Sequence, residues 1–336
     1  MNSIFPATYS TLSPNALAIL ISTQYDLKQV ECRFLLRGVG DTYLVETAKN
    51  RFILRAYNTL HRSHAVIKEE IDFLFALKAA NVSVSYPITD ISGEAIQSVN
   101  AIEGSRYLVL FSYAPGQSIS TFNKVQLDNL GLQMAHLHNV SATVNLGKAR
   151  WTFDLDTTLY KPVETLKPLL VDSPETYEWL LRSAKMIRNK LAQFNTARFS
   201  WGYCHYDMLP KNFHFHNDAV TFFDFDFIGY GWLVNDIMTF WQHLCLDVHF
   251  GRITQDVADK QYAAFLNAYR EVRPLSDEEL AAIPYLALGF WLFYSAFHTT
   301  HDQFSLFIHP SQLKFRFGYV RQMMERYWEK EEISPL

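Results

Sequence analysis

The sequence predicts an α+β protein of two lobes: a small antiparallel-sheet N-lobe, and a larger, mostly helical C-lobe. Three observations predict it. Between residues 30 and 57, three runs rich in Val, Ile, Phe and Tyr are separated by short turns, the pattern of an antiparallel meander. At Ala114-Pro115-Gly116-Gln117 that pattern breaks at the strongest linker signal in the chain. Beyond it, successive segments carry apolar side chains at the helical period. The expected division is an N-lobe over 1–113, a hinge over 114–118 and a C-lobe over 119–336.

Each element has a local reason. Ser13, an N-cap residue, precedes Pro14 at a first helical position, which opens a helix running to about Gln24. Strands are expected over 30–36, 43–47 and 51–57, with Gly38 and Gly40 in the first turn and Lys49-Asn50 in the second. Ser63 caps a helix over 65–80, whose Val66, Ile67, Ile71, Leu74 and Leu77 share a face. Further strands are expected near 82–88 and 107–113. After the hinge, helices are expected over 125–138, 174–194, 235–246 and 255–272. A strand pair at 212–216 and 219–225, turning at Asn217-Asp218, sits among them. There is no internal repeat and no low-complexity tract.

Composition narrows the class. Of 336 residues, 49% are hydrophobic, 15% aromatic and only 19% charged, enough apolar surface to offset ordering entropy and exclude a disordered or collagen-like chain. A formal net charge of −4 gives no field for a polyanion, so nucleic acid is not an expected partner. Cys32, Cys204 and Cys245 are widely spaced and form no Cys-x-x-Cys pair, which argues against a disulfide framework or structural zinc and fits a reducing cytoplasm. The first residues lack a secretory pattern, and cytoplasmic location is expected. The stretch 281–301 has no Lys, Arg, Asp or Glu, but Pro284, Gly289, Ser295 and His298 interrupt it. A buried helix is expected there, not a membrane span.

The chemistry-bearing segment is Tyr203-Cys-His205-Tyr-Asp207-Met-Leu-Pro-Lys-Asn212, followed by Phe222-Phe-Asp224-Phe-Asp226. It places Asp207 and Asn212 in a short loop and Asp224 at the end of the next hairpin. Two hard oxygen ligands of this type hold Mg²⁺ while leaving positions for phosphate oxygens and water. A further carboxylate nearby accepts a proton from an attacking hydroxyl, and phosphoryl transfer needs that set. The bare His-x-Asp-x4-Asn spacing is only moderately specific. The upstream glycine turn, strand cation and helical glutamate sharpen it by their order.

On these residues the chain resembles the aminoglycoside phosphotransferase-like family, which includes choline kinases and type II homoserine kinases and is related to protein kinases. The resemblance covers about residues 12–310. His205-Tyr-Asp207 through Asn212 is similar to the family's catalytic loop, Asp224-Phe-Asp226 to its second metal motif, and Asn235-Asp236-Ile to the structural aspartate after it. Leu130-Gly-Leu-Gln-Met-Ala-His-Leu-His138 resembles a family helix. The resemblance implies a protein-kinase-like fold and these roles: Asp207 as catalytic base, Asn212 and Asp224 as Mg²⁺ ligands, and Asp226 as a helper behind them. Gly38 and Gly40 would turn over the phosphates of ATP. Arg55 would take the place of the usual strand lysine and pair with Glu70. Ser112 and Tyr113 would form the hinge whose backbone meets adenine. Two departures stand out: arginine's planar fork is no simple substitute for lysine, and the glycine turn is shorter than in protein kinases.

Plainer readings accompany each residue. Asp207 and Asn212 taken alone also suit a loop satisfying its own backbone, a reading the full order of parts outweighs. His205 reads as structural. His214 and His216 share one strand face, as a metal pair or as a polar hairpin face. Lys211 reaches a phosphate or solvent; Glu69 competes with Glu70; Gly38 and Gly40 also suit an ordinary hairpin. The cluster Phe290-Trp291-x-Phe293-Tyr294-x2-Phe297 is a cation cage or core packing. The expected function is an ATP- and Mg²⁺-dependent kinase acting on a hydroxyl of a small molecule, homoserine-, choline- or aminoglycoside-like, with the homoserine-like acceptor preferred by analogy. Alternatives are a non-catalytic nucleotide-binding pseudokinase, a protein kinase of the same family, and a metallohydrolase built on His205, Asp207, His214 and His216. No Ala-Pro-Glu activation segment follows Asp224.

Overall fold

A computed structural model describes residues 7–328. The chain divides into two compact units. The first runs to Pro115 and includes Leu146–Ala149 and Thr221–Phe223; the second holds the rest.

The first unit opens with α1 (Pro14–Gln24), where the Ser13 side chain accepts from the Ala16 N–H. Leu17 and Ile21 of α1 pack into a core with Tyr43, Leu54, Leu108 and Leu110. That core lies against an antiparallel sheet of β1 (Glu31–Arg37), β2 (Asp41–Glu46) and β3 (Arg51–Asn58). After α2 (His64–Ala79), capped by Ser63, come β4 (Pro87–Ile88), β5 (Gln97–Ala101) and β6 (Gly104–Ser112). The strand order is β1-β2-β3-β6-β4, with β5 also pairing with β6. Register sets Arg55 opposite Thr42 on one side and Val109 on the other.

Two local expectations change. The strand expected over 82–88 shrinks to Pro87–Ile88. Pro87 has no N–H to give a ladder, and the backbone before it pairs with Phe222 instead: Ser85 N donates to Phe222 O at 2.8 Å and Phe222 N to Ser83 O at 3.0 Å. The strand β5 was not expected, because Gln97-Ser-Val-Asn-Ala offers only one β-branched residue. Its pairing follows from the tight return at Gly104, whose φ of +130° suits glycine.

The second unit is mainly helical. Its elements are α3 (Lys124–Ser141), β7 (Trp151–Phe153), α4 (Lys161–Leu166) and α5 (Pro174–Leu191). Next come β8 (Trp201–Cys204), β9 (Phe213–His216), β10 (Ala219–Phe222), whose last two residues belong to the first unit, and β11 (Gly229–Trp232). The chain then runs through α6 (Val234–His249), α7 (Gln255–Val272), α8 (Asp277–His298) and α9 (Pro310–Glu325). Asn123 and Gln126 form a reciprocal capping box at the start of α3. α3 lies so close to α7 that a side chain on Gly131 would meet the Phe265 carbonyl at 2.3 Å. α8 packs against α4, α5, α6 and α9. Among the described residues it is the helix with the length and composition to cross a membrane, yet 61% of its apolar 18-residue stretch is buried within the protein. The sheet β7-β11-β8 was not expected. Its strands have three or four residues, too few for a period to show.

The second unit begins at a constrained residue. Gly116 has φ of +87°, and a Cβ there would lie 1.9 Å from the Phe215 carbonyl oxygen. The next residue, Gln117, exchanges backbone hydrogen bonds with Phe215 at 3.2 and 3.0 Å. Gly116→Ala is therefore expected to destabilise the fold by about 2–3 kcal/mol, combining left-handed strain with a displaced strand. Urea unfolding checks this, and a loss below about 0.5 kcal/mol would contradict it.

Candidate active site

The loop after β8 is held by one carboxylate. Asp236, in the first turn of α6, accepts from the backbone N–H groups of His205 at 2.9 Å and Tyr206 at 2.7 Å. His138, near the end of α3, places Nε2 3.1 Å from the same carboxylate and Nδ1 2.8 Å from the Tyr269 hydroxyl on α7. Asp236 can only accept, so Nε2 carries the proton and Nδ1 accepts from tyrosine. Burial pushes the Tyr269 phenol up, keeping it a donor. Tyr206 takes φ of +60°, a strained region for a tyrosine. Its ring stacks on Phe153 with centroids 3.8 Å apart.

Asp207 follows this pinned residue. Its N–H donates to His205 Nδ1 at 3.2 Å. Its Oδ2 accepts from Asn212 Nδ2 at 2.8 Å and pairs with Lys211 Nζ at 2.8 Å. Its Oδ1 is buried and accepts no hydrogen bond among the described residues. An orphaned buried carboxylate oxygen is costly and marks where a ligand donor belongs. Burial lifts the Asp207 carboxyl above its ordinary range, Lys211 pulls it back, and Asp224 pushes it up further. The result is a carboxylate aimed at a donor, with raised proton affinity.

Asn212 donates through Nδ2 to both the backbone oxygen and Oδ2 of Asp207, each at 2.8 Å. With its NH₂ so engaged, the amide oxygen turns away from Asp207. Asp224 is exposed, with φ of +61°. Among the described residues no three His, Cys, Asp or Glu side chains converge as a complete metal site. One amide and one carboxylate oxygen fit a hard cation that takes its remaining ligands from phosphate and water. They do not fit a protein-caged zinc, and the His205, Asp207, His214 and His216 set forms no such cluster. His205 is buried against Phe225. His214 and His216 alternate with the buried Phe213 and Phe215 on β9. The Asp226 carbonyl accepts from Arg150 Nη1.

The remaining candidates lie in the first unit. Gly38 N donates to Gly40 O at 2.9 Å, and a Cβ on Gly40 would meet Ala56 O at 2.8 Å. A Cβ on Gly38 would make only ordinary contacts, 3.8 Å from Gly40 O. The Arg55 guanidinium lies 5.8 Å from the Tyr57 ring centroid, and the Tyr57 hydroxyl donates to Glu70 Oε1 at 3.3 Å. Glu69 is also buried, and its Oε1 accepts from Ala149 N at 2.6 Å. Ser112 donates its N–H to Tyr86 O at 2.8 Å, and its carbonyl accepts from Ser85 Oγ. Tyr113 stacks under the Arg51 guanidinium at 4.5 Å.

Sequence reasoning missed the partners that hold the loop. His138 and Tyr269 had no assigned role, although a histidine on the buried face of an apolar helix was the available signal. Phe290, Phe293, Tyr294 and Phe297 pack among Trp151, Phe153, Tyr206 and Phe227 as core, not as an open cage.

Comparison with known proteins adds the family. The profile described as "Phosphotransferase enzyme family" matches residues 31–275. A homoserine kinase of Paramagnetospirillum magneticum is 26% identical over 84% of this chain and 85% of its own. Two solved structures share the fold. An amicoumacin kinase in complex with AMP-PNP, Ca²⁺ and Ami has a TM-score of 0.70 at 21% identity, covering 94% of each chain. A microcompartment-associated aminopropanol kinase has a TM-score of 0.73 at 20% identity, covering 93% of this chain and 96% of its own.

The raised Asp207 carboxyl makes a signed prediction. Its contribution to stability is full below the unfolded carboxylate pKa and is lost as pH rises through the higher folded value. Asp207→Asn is therefore expected to match the wild type in thermal midpoint at pH 3–4 and exceed it at pH 7. The exposed end of Lys211 limits what the lost ion pair costs. A variant less stable at pH 7 than at acid pH, relative to wild type, would contradict the assignment.

Proposed function

The chain belongs to the phosphotransferase enzyme family and is a small-molecule phosphotransferase, and we propose that it transfers phosphate from ATP, with Mg²⁺, to a hydroxyl of its acceptor. The observation that carries this reading is the buried, unpartnered Oδ1 of Asp207 beside the oxygen donors of Asn212 and Asp224.

In this reading Asp207 Oδ1 takes the acceptor hydroxyl as a hydrogen-bond donor, orients its oxygen and receives its proton. The raised proton affinity suits that task, while Lys211 at 2.8 Å offsets part of the rise. Asn212 Oδ1 and the Asp224 carboxylate hold Mg²⁺, whose chemistry is to neutralise charge on the transferring phosphoryl group. Tyr206 supports Asp207 from a strained conformation fixed on both sides. In the first unit, Gly38 and Gly40 let the β1–β2 turn approach the phosphates. Arg55 serves as the phosphate cation, steadied through Tyr57 and Glu70. The Ser112 N–H is committed to Tyr86 O, so adenine recognition falls to the backbone of Tyr113 and the hinge over 114–118. The AMP-PNP and Ca²⁺ of the amicoumacin kinase support nucleotide and divalent-cation use. The homoserine kinase relative supports a small hydroxylated acceptor.

The test is a thermal-shift titration with ATP, ADP and GTP, each with Mg²⁺ and with EDTA. A nucleotide at 100 times its dissociation constant raises native stability by about 2.7 kcal/mol. The expected result is a Mg²⁺-dependent shift with a purine nucleotide that Asp224→Ala weakens. Asp207→Ala is expected to keep the shift while lowering kcat by at least about 1,000-fold. Equal shifts with Mg²⁺ and EDTA would remove the metal from this reading. No shift at millimolar nucleotide would remove the kinase itself.

A further inference from the structure

Where α8 meets α9, the second unit holds a guanidinium with no counter-ion among the described residues. Arg316 is half-buried, donates from Nη1 to Ser295 Oγ at 3.0 Å and meets the Tyr319 hydroxyl, but no carboxylate influences it. His298, three residues beyond Ser295 on α8, has a buried Nδ1 without a hydrogen bond among the described residues. Trp291, one turn before Ser295, has a buried indole N–H in the same condition, and its ring lies 5.7 Å from that of Tyr319. Burial first, then the charges of Arg316, His301 and Lys211, lower the His298 imidazole to about 4, so it is neutral at neutral pH. The face therefore combines a fixed positive charge with neutral polar nitrogens, and no anion faces it among the described residues.

This face adjoins the candidate active site within the same unit. Lys211, whose charge reaches His298, is ion-paired to Asp207 at 2.8 Å. Tyr294, one turn before His298, points its hydroxyl at the Tyr206 carbonyl at 3.5 Å. Burial and the Asp207 charge push the Tyr294 phenol up, which places it beside that carboxylate. A half-buried guanidinium without a counter-ion is electrostatically unfavourable. Its planar fork accepts a carboxylate through two parallel hydrogen bonds. A quaternary ammonium or a polyamine would meet Arg316 repulsively.

We propose that Arg316, with His298 and Trp291, holds a carboxylate of the phosphate acceptor, making the substrate a small hydroxy acid. The proposal rests on the phosphotransferase reading and narrows it: choline-like and aminoglycoside-like acceptors are disfavoured, and a homoserine-like acid is favoured.

The experiment compares acceptors that differ only by the carboxylate: L-homoserine against 3-aminopropan-1-ol, and glycerate against ethylene glycol. ADP release gives kcat/KM, and thermal shift gives binding with and without Mg²⁺–AMP-PNP. At least one acid is expected to exceed its decarboxylated partner by about 100-fold in kcat/KM, the effect of a charge-assisted bidentate pair. Arg316→Gln is expected to collapse that preference by a similar factor while leaving the KM for ATP within about twofold, and Arg316→Lys to recover part of it. Because the lysine variant keeps the charge, it separates lost recognition from lost folding. If neither acid binds or reacts better than its partner, or if Arg316→Gln slows both members of a pair equally, the proposal is overturned and the kinase stands. If no nucleotide binds with Mg²⁺, the kinase reading falls. Acid binding in nucleotide-free protein then decides on Arg316: an acid-specific shift lost in Arg316→Gln supports the proposal, and its absence overturns it.

Discussion

The Asp236 carboxylate is the constraint on which the site depends. It takes three donors: the N–H groups of His205 and Tyr206 and the imidazole of His138. Hydrogen bonds to a charged group contribute about 1.5–3 kcal/mol each, and a left-handed tyrosine costs about 1–3 kcal/mol. The tie outweighs the strain, so Tyr206 keeps φ of +60°. The conformation has a purpose that an ordinary turn would not serve. It reverses the chain so that Asp207 leads with its own N–H on His205 and its side chain on Asn212 and Lys211. Because Asp236 belongs to α6, His138 to α3 and Tyr269 to α7, the loop inherits the rigidity of three packed helices.

That rigidity sets the electrostatics. Asp207 is 5% exposed, so burial raises its proton affinity, and a flexible loop would relieve this by turning the carboxylate to water. Here it cannot turn, because Asn212 donates to Asp207 from a loop closed by Leu209 and Asn212 backbone contacts. Lys211 approaches from the solvent side and offsets part of the penalty without filling Oδ1. The loop therefore keeps one carboxylate oxygen satisfied and one waiting, an arrangement that costs stability and, in the proposed reading, would serve proton transfer.

Much of this was legible before the fold was known, for physical reasons that differ by element. Caps at Ser13 and Ser63 and the periods of α3, α5 and α7 depend on neighbours a few residues apart, so the sequence states them directly. Asp207, Asn212 and Asp224 lie within eighteen positions of one another and carry a recognisable spacing. What stayed hidden depends on long-range partners. β7, β8 and β11 exist because Gly229 and Gly231 pass against Phe153, 76 or more residues earlier in the chain. The short β4 reflects competition from Phe222, and the His138–Asp236 tie joins residues 98 apart. The setting of Arg316 was equally invisible, since neither Ser295 nor His298 announces an arginine on the next helix that meets no carboxylate among the described residues.

The aromatic content also acquires a reason. Trp151, Phe153, Tyr206 and Phe293 interlock with centroid distances of 3.8–6.4 Å, so the floor beneath Asp207 is stiff. Tyr294, Ser295 and His298 all sit on one continuous helix, where each residue adds about 1.5 Å of rise. The step from Tyr294, beside Asp207, to His298, beside Arg316, is therefore about 6 Å along the axis. Neither end can shift to suit a longer ligand without unpacking that cluster. A carboxylate gripped by Arg316 would place only a short chain of carbons before Asp207, so on this proposal α9 supplies the charge and α8 measures the acceptor. On this proposal, charge would disfavour acceptors that lack a carboxylate and length would disfavour large acids, the two tests coming from adjoining helices.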